Sequence, residues 1–91
     1  MRNQPWFYAE RDRIVGLLEE GKKLRFTNPM WPRDERIFIP LPKQQKEPMK
    51  IRYLVLYCQQ VLLDEVKPID TFYHEIRNML QTGWTAEVLE D

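Results

Sequence analysis

The sequence predicts an α+β fold, a small single domain in which a β-hairpin packs with about three helices in the order α-β-β-α-α. Apolar residues recur at helical spacing near both ends of the chain, and two stretches between them place apolar residues at every second position. A length of 91 residues, with 43% hydrophobic and 31% charged side chains, suffices for one domain over 1–91. Residues 85–91 are predicted to be an acidic tail that frays from this domain.

The first predicted element is a helix over 7–20. Ile14, Leu17 and Leu18 share one face at helical spacing, so this face is expected to be buried. Gly21 follows the last apolar residue. Because glycine adopts a positive φ without a steric penalty, it is predicted to end the helix.

Two strands, 22–28 and 36–42, are predicted to pair as the hairpin. The first alternates apolar with basic or polar residues, and the second places Ile37, Ile39 and Leu41 on one face. The residues between them, 28–35, contain two prolines and are predicted to be a loop. Pro40 has no N–H group for a sheet ladder, which predicts that its strand lies at the edge of the sheet.

The segment 49–67 is compatible with two structures. Its apolar residues, Cys58 among them, fit one broad helical stripe, which favours a long helix with a buried and unreactive thiol. Apolar residues also alternate over 50–57. The alternative is therefore a third strand at 50–57 followed by a short helix at 59–66.

The last predicted helix begins near Asp70 and ends at Gly83. The Asp70 carboxylate suits an N-cap, where it would accept a hydrogen bond from an orphan backbone N–H. Trp84, just beyond the glycine, is predicted to pack back on Met79 in a Schellman arrangement.

Few residues are available for catalysis or for binding a metal ion. His74 is the only histidine, Cys58 is the only cysteine, and the chain contains no serine. A serine nucleophile is excluded, and one histidine with one cysteine cannot build the usual zinc sites. A dyad of His74 with Glu75 is conceivable, but His74 is expected to be a surface residue. We therefore predict a protein that is not an enzyme, with no metal and no cofactor.

Charge is distributed unevenly along the chain although it sums to zero. Residues 1–53 carry twelve Lys/Arg against seven Asp/Glu, whereas residues 54–91 carry two against seven. Such asymmetry can orient a charged partner. A single cysteine and the lack of an apolar leader or of a long apolar run predict a cytoplasmic protein that does not cross a membrane.

The basic stretch includes aromatic residues, and this combination suits binding rather than chemistry. The leading hypothesis is a small regulatory or inhibitory protein–protein interaction module that also forms homodimers. The alternative is a nucleic-acid-binding protein that uses the basic and aromatic residues of 22–46. Trp31 either folds back on the domain or anchors a partner. The predicted partner-binding residues are Lys22, Lys23, Arg25, Trp31, Arg33 and Arg36.

Overall fold

Alternating apolar residues build a five-stranded antiparallel sheet in the computed structural model, which describes residues 6–44 and 46–89. The elements are α1 (Trp6–Glu19), β1 (Lys23–Asn28), β2 (Trp31–Pro40), β3 (Lys50–Tyr57), β4 (Gln60–Pro68), a 3-10 turn (Ile69–Phe72), α2 (Tyr73–Gln81) and β5 (Thr85–Leu89). The predicted α+β class is confirmed, but the described residues form two α-helices rather than three. No helix in this part of the chain has the length and apolarity needed to cross a bilayer.

The strands lie in the order β4-β3-β2-β1-β5, and both helices cover the same face of the sheet. Phe38 of β2 is fully buried at the centre of this layer. Its ring centroid lies 5.0 Å from that of Phe26, 4.9 Å from that of Tyr53 and 5.4 Å from that of Phe72. Aromatic contacts in this range add to the free energy gained from burial itself, so this cluster holds the sheet against the 3-10 turn that leads into α2.

The predicted helix over 49–67 is wrong, because this segment forms the β3–β4 hairpin. The alternative strand at 50–57 matches β3, but the short helix predicted to follow it is strand β4. Cys58 and Gln59 form the turn with φ of 50° and 67°, as a tight hairpin turn requires. Neither is glycine or asparagine, the residues that usually mark such turns, so the sequence contained no clear turn signal.

Strand β2 is longer than predicted and lies at the centre of the sheet. It begins at Trp31, so most of the predicted loop 28–35 is part of the strand. The expectation that Pro40 requires an edge strand is wrong. The backbone N–H of Leu41 donates to Lys50, so the Pro40 nitrogen faces the side of β1. The β1–β2 ladder begins only at the pair of Leu24 and Phe38, so position 40 needs no N–H donor towards β1.

The end of α2 follows the prediction, whereas its beginning does not. Gly83 has a φ of 99°, and the Trp84 N–H donates to the Met79 carbonyl at 3.0 Å, as in a Schellman motif. Asp70 makes no capping hydrogen bond and lies in the 3-10 turn that leads into the helix. Of the predicted tail 85–91, residues Thr85–Leu89 form β5 and pair with β1, and the rest lie outside the described residues.

The predicted burial of Cys58 is also wrong, since the hairpin turn exposes its thiol. We expect a maleimide to label native Cys58 within about threefold of the rate in denaturant, because an exposed thiol needs no unfolding to react. Mass spectrometry of the single-cysteine protein measures both rates directly. Slow labelling of the native protein that accelerates on unfolding would contradict the hairpin.

Candidate functional site

The structure divides the six predicted partner-binding residues between two sides of the sheet. Leu24 and Phe26 are buried under the helices, so the residues that alternate with them face the opposite side, which we call the open face. The predicted residues on or beside the open face are Lys22, Lys23, Arg25 and Arg33. Trp31 and Arg36 line a cleft on the helix side. The six residues therefore do not form one basic surface.

Basic side chains on the open face are matched by acidic neighbours. The Arg25 guanidinium lies 2.9 Å from the Glu35 carboxylate and 3.4 Å from that of Glu87. Arg52 donates two hydrogen bonds to Asp64, at 3.0 and 2.7 Å, and this bonding lowers the pKa of the Asp64 carboxyl. Exposed pairs of this kind add little to stability, but they neutralise the local charge that a polyanion would need.

The two phenylalanines of the basic stretch belong to the core. Phe26 and Phe38 are fully buried in the core between the sheet and the helices, so neither ring can stack on a base. The nucleic-acid hypothesis keeps the basic side chains of 22–46 but loses these two stacking surfaces.

A cleft of about 610 Å³ opens on the helix side, between β2 and the outer part of α2. We call it the tryptophan cleft. Its volume lies in the range of ligand-binding sites in proteins. It is lined by Trp31, Asp34, Arg36, Thr71, His74, Glu75, Asn78, Met79, Thr82 and Trp84.

One buried asparagine holds the two turns beside the cleft together. Asn28 is only 1% exposed, and its Nδ2 donates to the Thr82 carbonyl at 2.9 Å. Its Oδ1 accepts a hydrogen bond of 2.9 Å from the Met30 N–H. The second bond shapes the turn before Trp31, and the first ties that turn to the end of α2. Asn28 thereby fixes the relative position of two parts of the chain that lie far apart in sequence.

The inner wall of the cleft is a stack of two indoles and a guanidinium. The rings of Trp31 and Trp84 lie 6.2 Å apart at an interplanar angle of 28°. The Arg36 guanidinium carbon lies 4.8 Å from the Trp84 ring centroid, within the range of a cation–π contact. Trp84 is buried, whereas Trp31 is 46% exposed. Trp31 therefore both packs on the domain and presents an aromatic surface to solvent, whereas Arg36 packs on the buried Trp84.

A carboxylate deeper in the cleft is already engaged. Glu75 accepts a hydrogen bond of 3.2 Å from the Tyr53 hydroxyl, and its Oε1 lies 3.7 Å from Nη1 of Arg36. Burial, with the negative charge of Glu75 as the next cause, raises the pKa of Tyr53 to about 12. Glu75 thus links β3 to α2 and compensates the charge of Arg36.

Two titratable side chains at the rim remain without such partners. Within 6–44 and 46–89, neither Asp34 nor His74 makes a side-chain hydrogen bond or an ion pair. Nor does this part of the chain contain a group of three or more His, Cys, Asp and Glu side chains that could hold a metal ion. With Arg36 compensated by Glu75, Asp34 gives the cleft an excess of negative charge at neutral pH.

The helix-side surface continues from the cleft onto the β3–β4 hairpin. Asp34 is paired with Tyr57 of β3, and Arg36 is paired with Val55, which is in turn paired with Leu63 of β4. Paired residues of antiparallel strands lie on the same face. Tyr57 is 47% exposed and Leu63 is 38% exposed. Asp34 therefore lies between the Trp31 indole of the cleft and the exposed side chains of Tyr57 and Leu63 on the hairpin.

No known protein family, curated protein sequence or solved structure matches this chain. Of the cleft residues, only Trp31 and Arg36 were predicted to bind a partner. Asp34 and Trp84 were not identified as site residues from the sequence. For Trp84 the reason is that nothing in the sequence places this residue beside 31–36. The dipeptide of Asn28 and Pro29 is the one available signal, since asparagine before proline favours a turn.

Replacement of Asn28 by alanine is expected to lower the free energy of unfolding by about 1–3 kcal/mol, because the Thr82 carbonyl and the Met30 N–H lose their hydrogen-bond partner at a partly buried position. Urea unfolding followed by circular dichroism measures the loss. Thr27→Ala, at the neighbouring position on the opposite face, is the control and should have a smaller effect. Equal losses in the two variants would show that the two hydrogen bonds of Asn28 carry no special weight.

The raised pKa of Tyr53 predicts that the free energy of unfolding falls at alkaline pH. In the folded protein the phenol keeps its proton up to about pH 12, whereas the unfolded chain releases it near pH 10. Between these pH values the unfolded state binds fewer protons than the folded state. The contribution of the Tyr53 phenol to stability is therefore complete below about pH 10 and is lost as the pH rises to about 12.

Tyr53→Phe should remove the component of the tyrosinate absorbance titration that appears at the highest pH. Tyr57→Phe, which removes an exposed phenol, should leave that component in place. A Tyr53→Phe protein with an unchanged titration at the highest pH would contradict the burial of this hydroxyl.

Proposed function

We propose that this protein is a protein–protein interaction module that binds a partner segment carrying a lysine or arginine next to apolar residues. The cation would enter the tryptophan cleft, and the apolar residues would pack on the adjoining part of the β3–β4 hairpin. The observation that carries this proposal is the half-exposed indole of Trp31 in the same cleft as Asp34, a carboxylate without an ion-pair partner in the described residues.

The charge of the cleft argues for a basic ligand group. Of the carboxylate and guanidinium groups that line it, Arg36 and Glu75 compensate each other at 3.7 Å. Asp34 is left to attract a cation. A guanidinium or ammonium group could accept the Asp34 charge and also lie against the face of Trp31, where the ring quadrupole attracts a cation.

The apolar part of the surface would contribute most of the binding free energy. Tyr57 and Leu63 border the cleft and are exposed, and aromatic side chains are frequent anchors in protein interfaces. Burying these two side chains and the free face of Trp31 removes apolar area from water. The charged pair would then add orientation and association rate rather than most of the affinity.

This proposal keeps the interaction module expected from the sequence but changes the chemistry of the partner. The partner-binding residues predicted from the sequence were all basic apart from Trp31. Because Arg36 is compensated by Glu75 and packed on Trp84, we propose Trp31 and Asp34 as the recognition residues and a basic segment as the ligand.

A random-sequence peptide library displayed on phage, selected against the full chain, tests the proposal. We expect the enriched peptides to share a lysine or arginine beside apolar residues. Isothermal titration calorimetry with an enriched synthetic peptide should show about tenfold weaker binding for Asp34→Asn and about 30-fold weaker binding for Trp31→Ala.

Two matched variants control this experiment. Asp12→Asn removes an exposed carboxylate of α1, and Trp6→Ala removes an indole of α1 that is 62% exposed. Both should bind the peptide as the parent does. Failure to enrich basic peptides, or equal effects of the cleft variants and their controls, would overturn the proposal.

A further inference from the structure

Strand β4 forms one edge of the sheet, and its backbone is available for pairing along part of its length. The Ile69 N–H donates to the Met49 carbonyl, so odd-numbered residues in this register direct their backbone groups to β3. Even-numbered residues direct theirs outward. Asp64 and Val66 therefore present both an N–H and a C=O at the edge, whereas Pro68 presents only a C=O.

Side chains on this edge do little to prevent pairing. Val61, Leu62 and Val66 are 55%, 66% and 51% exposed. Charged residues protect a sheet edge when they are left unpaired, but Asp64 is bound by Arg52. A long edge strand with exposed apolar residues and compensated charges favours association with another strand.

We propose that β4 pairs antiparallel with β4 of a second copy of this chain, about a two-fold axis that passes through Val66. The segment of Glu65, Val66 and Lys67 is complementary to itself when reversed. In this register Val66 faces Val66 of the second copy, and each Glu65 faces Lys67 of the other copy on the same side of the sheet.

Neighbouring registers lack this complementarity. An axis through Asp64, Glu65 or Lys67 would place two like charges directly opposite each other, which is destabilising. Within one chain, Glu65 and Lys67 already form an ion pair at 3.1 Å. The Val66 register joins the ion pairs of the two copies into a network of alternating charges. At the other edge of the sheet, Glu87 is the only charged residue in the described part of β5. This strand therefore has no pair of opposite charges that could match a second copy.

The backbone fits the same register. The Val66 N–H of each copy would donate to the Val66 carbonyl of the other. The Asp64 N–H of each copy would donate to the Pro68 carbonyl of the other. Because Pro68 has no N–H group to donate, the ladder between the two copies ends at the Pro68 of each chain. Two sheets would join as one continuous sheet with the helices on a single side.

Sedimentation equilibrium of the full chain tests this proposal with charge-reversal variants. The parent should behave as a dimer of the 11.2 kDa chain at micromolar concentration. Glu65→Lys and Lys67→Glu should each weaken the dimer by at least about tenfold, since each places like charges opposite each other. The double variant, with both reversals, should dimerise as the parent does, because the alternation of charge is restored.

Mixing the two single variants gives the sharpest result. The two lysines of one chain then face the two glutamates of the other, so the mixture should form a heterodimer although neither protein dimerises well alone. Lys43→Glu changes the same charge in the exposed connector before β3 and should leave the dimer intact. Circular dichroism shows whether each variant is folded.

A parent that remains monomeric at high micromolar concentration would overturn the proposal. So would single variants that dimerise as the parent does, or a folded mixture without heterodimers. These results concern β4 alone, because peptide binding in the tryptophan cleft is measured with Trp31 and Asp34 variants.

Discussion

The two hydrogen bonds of Asn28 join the β1–β2 turn to the end of α2, and the geometry of the cleft depends on them. Among the described residues, the hydrogen bond from Asn28 to the Thr82 carbonyl is the side-chain hydrogen bond that joins the β1–β2 turn to the end of α2. Trp31 follows this turn and Trp84 follows that helix end, so their stacking is a consequence of the same contact. A single buried amide thus places two segments separated by fifty or so residues within reach of one ligand.

The two helices cover only part of the sheet, and the uncovered part is where we expect binding. Phe38 and its aromatic neighbours bury the centre of the helix-side face. β4 lies at the edge, beyond this cover, so Leu63 on its helix side stays in contact with water, and Val61 and Val66 are exposed on the open face. Burial of those side chains by a partner would gain free energy that the monomer does not obtain, which is why both proposals involve this hairpin.

Elements with strong local signals were predicted correctly. The helix predicted at 7–20 is α1, the strand predicted at 22–28 is β1, and Gly83 ends α2. Each is determined by interactions between residues near in sequence: a helical stripe, strict alternation, or a residue that adopts a positive φ. The β3–β4 hairpin was missed because its apolar residues satisfy a helical and a strand period together, and because its turn residues carry no signal.

The sequence by itself determined the α+β class and the lack of a serine nucleophile, because these follow from local periodicity and composition. Tertiary structure decided which residues meet. It separated Arg25 from Arg36 by placing them on opposite faces of one sheet, and it brought Trp84 beside Trp31. The physical reason is that strand pairing and the Asn28 contact join residues far apart in sequence, and no pattern within one segment encodes such partners.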